Sequence, residues 1–408
     1  MKGNYTLFFI VLMFHSYGIF SQTSSTRSAS ITQGLATTIN SNIFPGCAGS
    51  RVSAVGTITS SDALVWTVPA ETNFSAGPYL PDLYNQCSGV MPANIAAVNL
   101  NSLPVTVIDN GGDTITAFLL GDNYFELYIN DVLVGVDPVP YTPFNSCVVK
   151  FKVARPYTIA LKLVDWEENL GLGTELNNGN PYHAGDGGFI AQFSDGTVTD
   201  SSWKVQTFYI APIEDVATVV ELPDGTRSSA TASTTPSCDL NCYGFHYEIP
   251  NDWKSPAFSD GGWPNASLYS AATVGVNFPA YTNFSSQWNN AQFIWASNLI
   301  LDNLVLVRKT VGSTTGIESN ESDPEFRVVN PFGDKINFIS GNEITNATII
   351  LYDIMGKQIQ CWKQQDIHTN ENTSLKLKSD IPNGNYILKI QGSTFNSTTR
   401  LVHQTEFK

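Results

Sequence analysis

Hydrophobic and polar positions alternate over short stretches along most of the chain. The clearest case is residues 124–130, where Phe125, Leu127 and Ile129 fall on one face and Glu126 falls on the other. A period of two residues is that of a β-strand, because successive side chains of a strand point to opposite faces. The pattern therefore predicts a half-buried strand.

A turn follows this stretch at Asn130 and Asp131, two residues that tolerate the left-handed backbone of a tight hairpin. It leads into a second apolar run at 132–136. Comparable runs recur at 53–59, 63–68, 148–153, 159–164, 189–193, 208–211, 244–249, 291–295 and 304–308. No stretch of any length has helical periodicity, and Gly and Pro separate the runs. We predict an all-β fold whose main domain is a jelly roll or β-sandwich.

The order of these runs predicts two domains. We assign 22–104 as an N-terminal β-rich segment that belongs to the main domain and 105–311 as the jelly roll itself. The Gly-, Ser- and Thr-rich residues 312–324 are predicted to be a linker. Further strands at 335–339, 347–353, 374–377 and 385–390 predict a second, smaller immunoglobulin-like β-sandwich at 325–408.

The N-terminus has the pattern of a secretory signal peptide. Lys2 provides a positive charge, residues 7–14 are apolar, and Ser21 before Gln22 is the expected cleavage point, so the signal is 1–21. The apolar run is too short to cross a bilayer, and no later run is long enough. We expect an exported chain without a transmembrane segment.

Composition is consistent with export and excludes some classes of binding partner. The chain has 408 residues, only 14% of them charged, and a formal net charge of -15. Such an acidic balance argues against nucleic acid and anionic membranes as partners. It leaves carboxylates free to bind cations.

Six cysteines are compatible with disulfides in an exported protein. Cys238 and Cys242 lie in one short polar loop and are predicted to pair. Cys47 with Cys87 is a second candidate pair, although sequence does not determine connectivity. The scattered cysteines do not predict a zinc site, since only His246 lies near any of them.

Candidate chemistry is concentrated in two loops, 165–175 and 182–188. They carry five acids that we predict as ligands of Ca²⁺, namely Asp165, Glu167, Glu168, Glu175 and Asp186. Calcium prefers carboxylate and carbonyl oxygens, and the glycines of these loops let a chain bend around an ion. Two alternatives remain open. The acids can instead be solvated loop residues that cap backbone N–H groups, or a general acid/base pair of a glycoside hydrolase.

Aromatic residues beside these acids predict a ligand site. A sugar can lay its apolar face on an aromatic ring while acids bind its hydroxyls. We expect Trp166 and Tyr182 to be exposed, and we predict ligand contacts from Trp166, Tyr182, His183 and Asp186. No nucleophile elbow or Cys/His pair in a catalytic context is present.

The tail resembles the C-terminal sorting domain of proteins exported by the type IX secretion system. The matching motifs are VNPF at 329–332, LYDIMGK at 351–357 and IPNGNYIL at 381–388. The usual Pro-Asn-Pro is Val329-Asn330-Pro331 here. The resemblance implies an interaction with that machinery and export across both membranes of a Gram-negative cell. Release or attachment at the outer surface would follow.

The middle of the chain resembles galactose-binding-like jelly rolls found beside bacterial glycoside hydrolases. The matching stretches are DNYFELYIN at 122–130, TDSSWK at 199–204, FSDGGWPNA at 258–266, FIW at 293–295 and VLVR at 305–308. This resemblance implies a jelly-roll fold and raises the expectation of a structural calcium ion.

These observations lead to one functional expectation with two alternatives. We expect a secreted or cell-surface, non-catalytic protein that binds polysaccharide or a cell-surface glycan through the jelly-roll rim, with calcium. The first alternative is a surface adhesin or structural module without sugar affinity. The second is a polysaccharide-active hydrolase with an unfamiliar site.

Overall fold

The structure is a computed structural model, and it is described for most of the chain. The described residues are 29–222, 225–288, 290–312, 326–329, 332–353, 356–369, 371–378, 381–392 and 396–404. The predicted signal peptide at 1–21 lies outside them, as does the predicted linker except for Gly312. Within the described residues, β-strands dominate and helices are few and short. The all-β prediction is confirmed.

The sandwich unit, residues 29–312, contains the first twenty-one described strands. They are β1 Ser30–Gln33, β2 Thr37–Asn40, β3 Val55–Thr59, β4 Val65–Val68, β5 Asp82–Tyr84, β6 Val105–Val107, β7 Asp113–Asp122, β8 Tyr124–Ile129, β9 Val132–Val136, β10 Ser146–Val153, β11 Tyr157–Val164, β12 Glu175–Asn177, β13 Asn180–His183, β14 Gly188–Phe193, β15 Lys204–Ile213, β16 Val220–Glu221, β17 Arg227–Ser228, β18 Tyr243–His246, β19 Ser267–Tyr269, β20 Phe293–Trp295 and β21 Asp302–Val311. The helical pieces described here are α1 Pro279–Thr282 and five 3-10 turns, Ile95–Ala97, Leu100–Ser102, Val216–Thr218, Asp239–Asn241 and Ser285–Gln287.

Two sheets form the body of this unit. The first sheet has the order β1-β18-β15-β21-β11-β8-β9, and the second has the order β19-β20-β14-β7-β10-β5, with β6 also paired to β10. Residues before 105 therefore share both sheets with later ones, through β1 and β5. Three small sheets, β2-β3-β4, β12-β13 and β16-β17, add to this body.

One hydrophobic core joins the two sheets and makes the unit a β-sandwich. Leu127 and Leu161 of the first sheet and Leu119 and Phe189 of the second are all fully buried in it. Burial of apolar area between facing sheets is the main stabilising term of such a fold.

A second core covers the other face of the first sheet, which corrects the prediction that 124–130 is half-buried. Tyr124 and Tyr128 alternate with the residues of the first core, yet they too are buried. Val68 and Phe74 from the N-terminal segment and Trp253 from a later loop pack over them. The predicted period of two residues is correct, but the layer that covers this face of the sheet comes from distant parts of the chain. Glu126 is buried in this layer, with no exposed surface.

Both candidate disulfides are present. Cys238 pairs with Cys242 and Cys47 pairs with Cys87. The predicted hairpin is also present, because Asn130 and Asp131 have φ angles of 49° and 69° between β8 and β9.

The C-terminal unit, residues 326–404, is a smaller pair of sheets. Its strands are β22 Phe326–Val328, β23 Lys335–Ser340, β24 Ile344–Asp353, β25 Gln358–Ile367, β26 Asn372–Lys376, β27 Gly384–Gln391 and β28 Asn396–His403. They form the sheets β22-β23-β26 and β25-β24-β27-β28. A separate core that includes Phe338, Leu351 and Leu388 lies within this unit.

Candidate functional site

The predicted acidic loops meet at one rim of the sandwich unit, where β11 ends and β21 begins. Val164 of β11 pairs with Leu304 of β21. The next residue, Asp165, donates its backbone N–H to the carbonyl oxygen of Asn303 at 2.9 Å. A narrow cavity at this point is lined by Asp165, Trp166, Glu167, Gly173, Thr174, Glu175, Gly185 and Asn303.

Four carboxylates lie close enough at this rim to interact electrostatically. They are Asp122, Asp165, Glu175 and Asp186, which we call the rim acids. The loop that carries Asp186 passes directly over Asp165: a Cβ atom on Gly185 would lie 3.2 Å from Oδ1 of Asp165.

Burial and mutual repulsion raise the pKa values of three rim acids. For Asp165 and Asp122, burial is the larger cause of the raised pKa, followed by the charges of neighbouring rim acids. For Asp186, burial and then Glu175 raise the pKa to about 6. Each shift means that the charged form is costly in this surrounding.

Several oxygens at the rim lack hydrogen-bond partners. Among the described residues, the carboxylates of Asp165 and Asp186 accept no hydrogen bond, and the buried Oδ1 of Asn303 has no partner. Asp122 accepts one, from Nδ2 of Asn123 at 2.8 Å. As the side chains stand, no three His, Cys, Asp or Glu side chains in the described ranges are arranged to hold a metal ion. The rim acids are close enough to repel one another but are not drawn together to ligand distance.

Glu168 and Glu175 have an internal cation partner, Arg51. Its guanidinium donates to Oε1 and Oε2 of Glu168 at 3.2 and 2.7 Å and to Oε2 of Glu175 at 2.8 Å. It also lies over the Tyr141 ring, 4.6 Å from the centroid. The Tyr141 hydroxyl donates to Glu175 as well. Glu168 is thus held away from the cavity, while Glu175 joins Arg51 to the rim acids.

Glu167 lines the cavity but is engaged in the loop itself. One of its oxygens accepts the N–H of Gly171 at 2.6 Å, and both lie 3.2 Å from the Tyr209 hydroxyl. Burial raises its pKa to about 8. These contacts hold the loop after β11 in shape.

The hairpin β12–β13 carries the predicted ligand residues Tyr182 and His183. Asn178 and Gly179 form its two-residue turn with φ angles of 44° and 87°, the combination that Asn-Gly favours. Glu175 pairs across the hairpin with His183. Tyr182 and His183 are half-buried, so each presents part of its ring to solvent.

The predicted exposure of Trp166 is wrong. Its side chain is 1% exposed, its indole N–H donates to the carbonyl of Ala54 at 3.0 Å, and Tyr124 packs against its edge. Ala54 comes from the N-terminal segment and Tyr124 from β8, so both lie far from Trp166 in sequence. A buried ring cannot stack on a ligand that arrives from solvent.

Sequence reasoning missed Asp122, Asn303 and Arg51. Asp122 ends β7 in the second sheet, and Asn303 lies at the start of β21 in the first sheet. Each is a polar residue at the end of an apolar run, and this pattern could have indicated that both lie at an edge of a sheet. However, only the pairing of β11 with β21 places Asn303 beside Asp165.

Comparison with known families identifies the tail. Residues 330–404 match the model described as "Secretion system C-terminal sorting domain". This match lies within the predicted 325–408 and confirms the resemblance of the tail. The protein is therefore exported by type IX secretion to the cell surface or the extracellular space.

No curated protein matches the chain in sequence. Several solved structures are weakly similar. Among them are a β-D-glucuronidase from Dictyoglomus thermophilum (9% identity, TM-score 0.14, 92% of this chain and 44% of that one), a lectin from Pleurotus ostreatus in complex with GalNAc (13%, 0.14, 92% and 86%) and the BSP domain of a biofilm associated protein (10%, 0.16, 93% and 67%). The chain thus spans less than half of the glucuronidase chain. None of these likenesses is close enough to carry a functional argument.

Within the described ranges, no helix is long and apolar enough to span a bilayer.

Proposed function

We propose that the sandwich unit is a non-catalytic glycan-binding module of galactose-binding-like, jelly-roll type, and that a calcium ion organises its rim. The observation that carries the proposal is the group of rim acids, of which Asp122 and Asp165 are buried and Glu175 and Asp186 half-buried, beside the partnerless Oδ1 of Asn303. Arg51 offsets the charge of Glu175, but burying the other carboxylates without a cation of their own is costly. A bound divalent cation would offset this cost.

The donor set fits calcium better than a transition metal. It consists of carboxylates and an amide oxygen, with neither thiolate nor imidazole at the cavity. Asp122, Asp165, Glu175, Asp186 and Asn303 would hold the ion, which supplies a fixed positive charge. Since Ca²⁺ tolerates irregular geometry and six to eight oxygens, small side-chain movements would complete the site. Glu167 and Glu168, two of the predicted ligands, stabilise the loop and the hairpin instead.

The glycan would bind on the outer side of the hairpin β12–β13. Tyr182 offers a partly exposed ring, and His183 and Asp186 offer polar groups beside it. Because Glu175 and Asp186 flank these residues in sequence, an ion bound between them would hold the hairpin in place. Preformed sites bind with a smaller entropic cost.

The surroundings of the acids favour binding over hydrolysis. A glycosidase needs two carboxyl groups on opposite sides of a bound sugar. Asp165 and Glu167 are nearly fully buried, and the cavity they line is too narrow for a sugar ring. Glu168 is paired with Arg51. Turnover of a polysaccharide that is lost in Glu168→Gln would overturn this part of the proposal.

Calcium titration and a glycan array test the proposal together. We expect calorimetry to detect one bound Ca²⁺ per chain and a chelator to lower the melting temperature. We expect retention on at least one polysaccharide only when calcium is present. Calcium binding without retention on any glycan would favour the adhesin or structural module. Absence of both would overturn the proposal.

A further inference from the structure

A lysine, a carboxylic acid and an asparagine meet in the second core, away from the rim. Glu126 on β8 and Lys162 on β11 are directly opposite each other in the first sheet. Nζ of Lys162 lies 3.7 Å from Oε2 of Glu126. Nδ2 of Asn73 donates to the same Oε2 at 3.0 Å, and its backbone N–H donates to Oε1 at 2.5 Å.

Aromatic residues enclose this triad. Tyr124 and Tyr128 flank Glu126 on its strand, and their hydroxyls donate to its carboxylate at 3.1 and 2.5 Å. Trp253 packs against Tyr128, with ring centroids 5.6 Å apart. Glu126 has no exposed surface and Lys162 is 9% exposed. Water is thus largely excluded from the amine and the carboxyl group, while Asn73 is half-buried at the edge of this group.

The arrangement of the amide differs from what an ion pair alone requires. A buried Lys–Glu pair needs further hydrogen bonds, but it does not need a carboxamide nitrogen placed on the same carboxylate oxygen. Nδ2 of Asn73 is held by two groups, Oε2 of Glu126 and the Tyr128 hydroxyl at 2.8 Å. Nζ of Lys162 donates to the carbonyl oxygen of Glu71 at 2.7 Å, so it must move from 3.7 Å into hydrogen-bond distance of Oε2 before Oε2 takes its proton. One carboxylate next to both an amine and an amide nitrogen is what general acid–base catalysis of amide exchange requires.

We propose that Lys162 and Asn73 become joined by an isopeptide bond, formed within the folded chain with Glu126 as the catalytic residue. Glu126 takes one proton from the Lys162 ammonium, and the neutral Nζ attacks Cγ of Asn73. Glu126 then protonates Nδ2, the Cγ–Nδ2 bond breaks, and ammonia leaves. The extra proton on Nζ returns to Glu126. The products are an Asn73–Lys162 amide, ammonia and a protonated Glu126, so atoms and charge balance without an oxidant or cofactor.

The bond would tie the N-terminal segment to the first sheet. Asn73 lies in the layer that covers the sheet, whereas Lys162 lies in a central strand, β11. A covalent link across this layer would prevent the covering segment from separating during partial unfolding. Such a link suits a protein exposed outside the cell, where no chaperone refolds it.

Intact mass spectrometry of the full chain, reduced and alkylated, tests the proposal. We expect a mass lower than that of the sequence by one ammonia molecule. Because cyclisation of an N-terminal Gln22 would also release ammonia, the bond must be located by peptide mapping. We expect trypsin to leave Lys162 uncut and to yield one branched peptide that contains both Lys162 and Asn73.

Substitutions identify the groups that react. Glu126→Gln and Lys162→Arg should each give Asn73 and residue 162 in separate peptides. Lys254→Arg is the matched control, since Lys254 lies over the Tyr128 ring at 4.9 Å but has no contact with Glu126; its branched peptide should persist. Recovery of Asn73 and Lys162 in separate peptides of the wild-type chain would overturn the proposal. This outcome is measured on the wild-type chain alone, so it holds even if a variant does not fold.

Discussion

Asp165 and Asn303 are joined by a backbone hydrogen bond of 2.9 Å where β11 ends and β21 begins, and their side chains line the same cavity. One side chain is a buried carboxylate without a hydrogen bond, and the other has a buried oxygen without a partner. Buried acceptors without donors are costly, and the calcium ion proposed for the rim would bind both of these oxygens.

The first prediction concerns Asp165→Asn. With chelator, we expect this variant to be at least as stable as the wild type, because the substitution removes one of several repelling charges. With calcium, it should be less stable, by about 1–3 kcal/mol, since a ligand stabilises only the chain that binds it. Urea unfolding under both conditions measures the two differences. Asp113→Asn, at an exposed position of β7, is the control and should respond to calcium like the wild type. An equal calcium response in Asp165→Asn would remove Asp165 from the site.

The second prediction concerns Arg51, which links the N-terminal segment to the hairpin. Arg51→Met leaves Glu168 and Glu175 without their shared cation, and the two like charges then repel between the loop after β11 and the first strand of the hairpin. We expect faster hydrogen exchange at 175–183, with a global stability loss of about 1 kcal/mol. Arg51→Lys should be intermediate, because a lysine keeps the charge but not the forked geometry. Unchanged exchange in Arg51→Met would show that the hairpin is held by its own turn.

The sequence predicted strands where the alternation was strong and local. The hairpin at Asn130 and Asp131 is one example, because its turn chemistry and both flanking runs lie within a dozen residues. In the tail, β24 and β27 were predicted, whereas β25 Gln358–Ile367 was not, because its polar residues mask the alternation. The local pattern thus predicted many of the strands but not all of them.

Burial and the composition of the rim could not be predicted in the same way. Trp166 was expected at the surface because its neighbours in sequence are acidic, yet Ala54 accepts its N–H across more than a hundred residues. Asp165, Glu175 and Asp186 were identified because they share two loops. Asp122 and Asn303 reach the same rim only through strand pairing, which a single sequence does not encode locally.

The third prediction concerns pH and His246. Its ring stacks between Trp66 and Tyr209, and its Nε2 lies 2.9 Å from Oγ1 of Thr32. Burial lowers its pKa to about 3. A histidine whose folded pKa is lowered stabilises the fold above its unfolded pKa of about 6.5 and loses this contribution as pH falls toward the folded value. Between pH 7 and 5 the loss amounts to about 2 kcal/mol.

The variant His246→Phe isolates this contribution from other groups. Glu167, which contacts Tyr209, has a pKa raised to about 8 and therefore acts in the opposite direction. Subtracting the unfolding free energies of His246→Phe from those of the wild type at each pH removes such shared terms. If the difference in unfolding free energy stays constant from pH 7 to 5, protonation of His246 does not destabilise the folded state.

The last prediction tests where the glycan binds. Tyr182→Ala removes the partly exposed ring near the end of β13, and His183→Ala removes its polar neighbour. Because aromatic contacts contribute about 0.5–1.5 kcal/mol, we expect the dissociation constant of a retained glycan to rise up to about tenfold for Tyr182→Ala. Tyr79→Ala, at a tyrosine that is 55% exposed elsewhere on the unit, should leave it unchanged. Melting temperatures measured with calcium separate a lost contact from a lost fold. Equal affinity in Tyr182→Ala and the wild type would place the glycan away from this hairpin, even if calcium still binds at the rim.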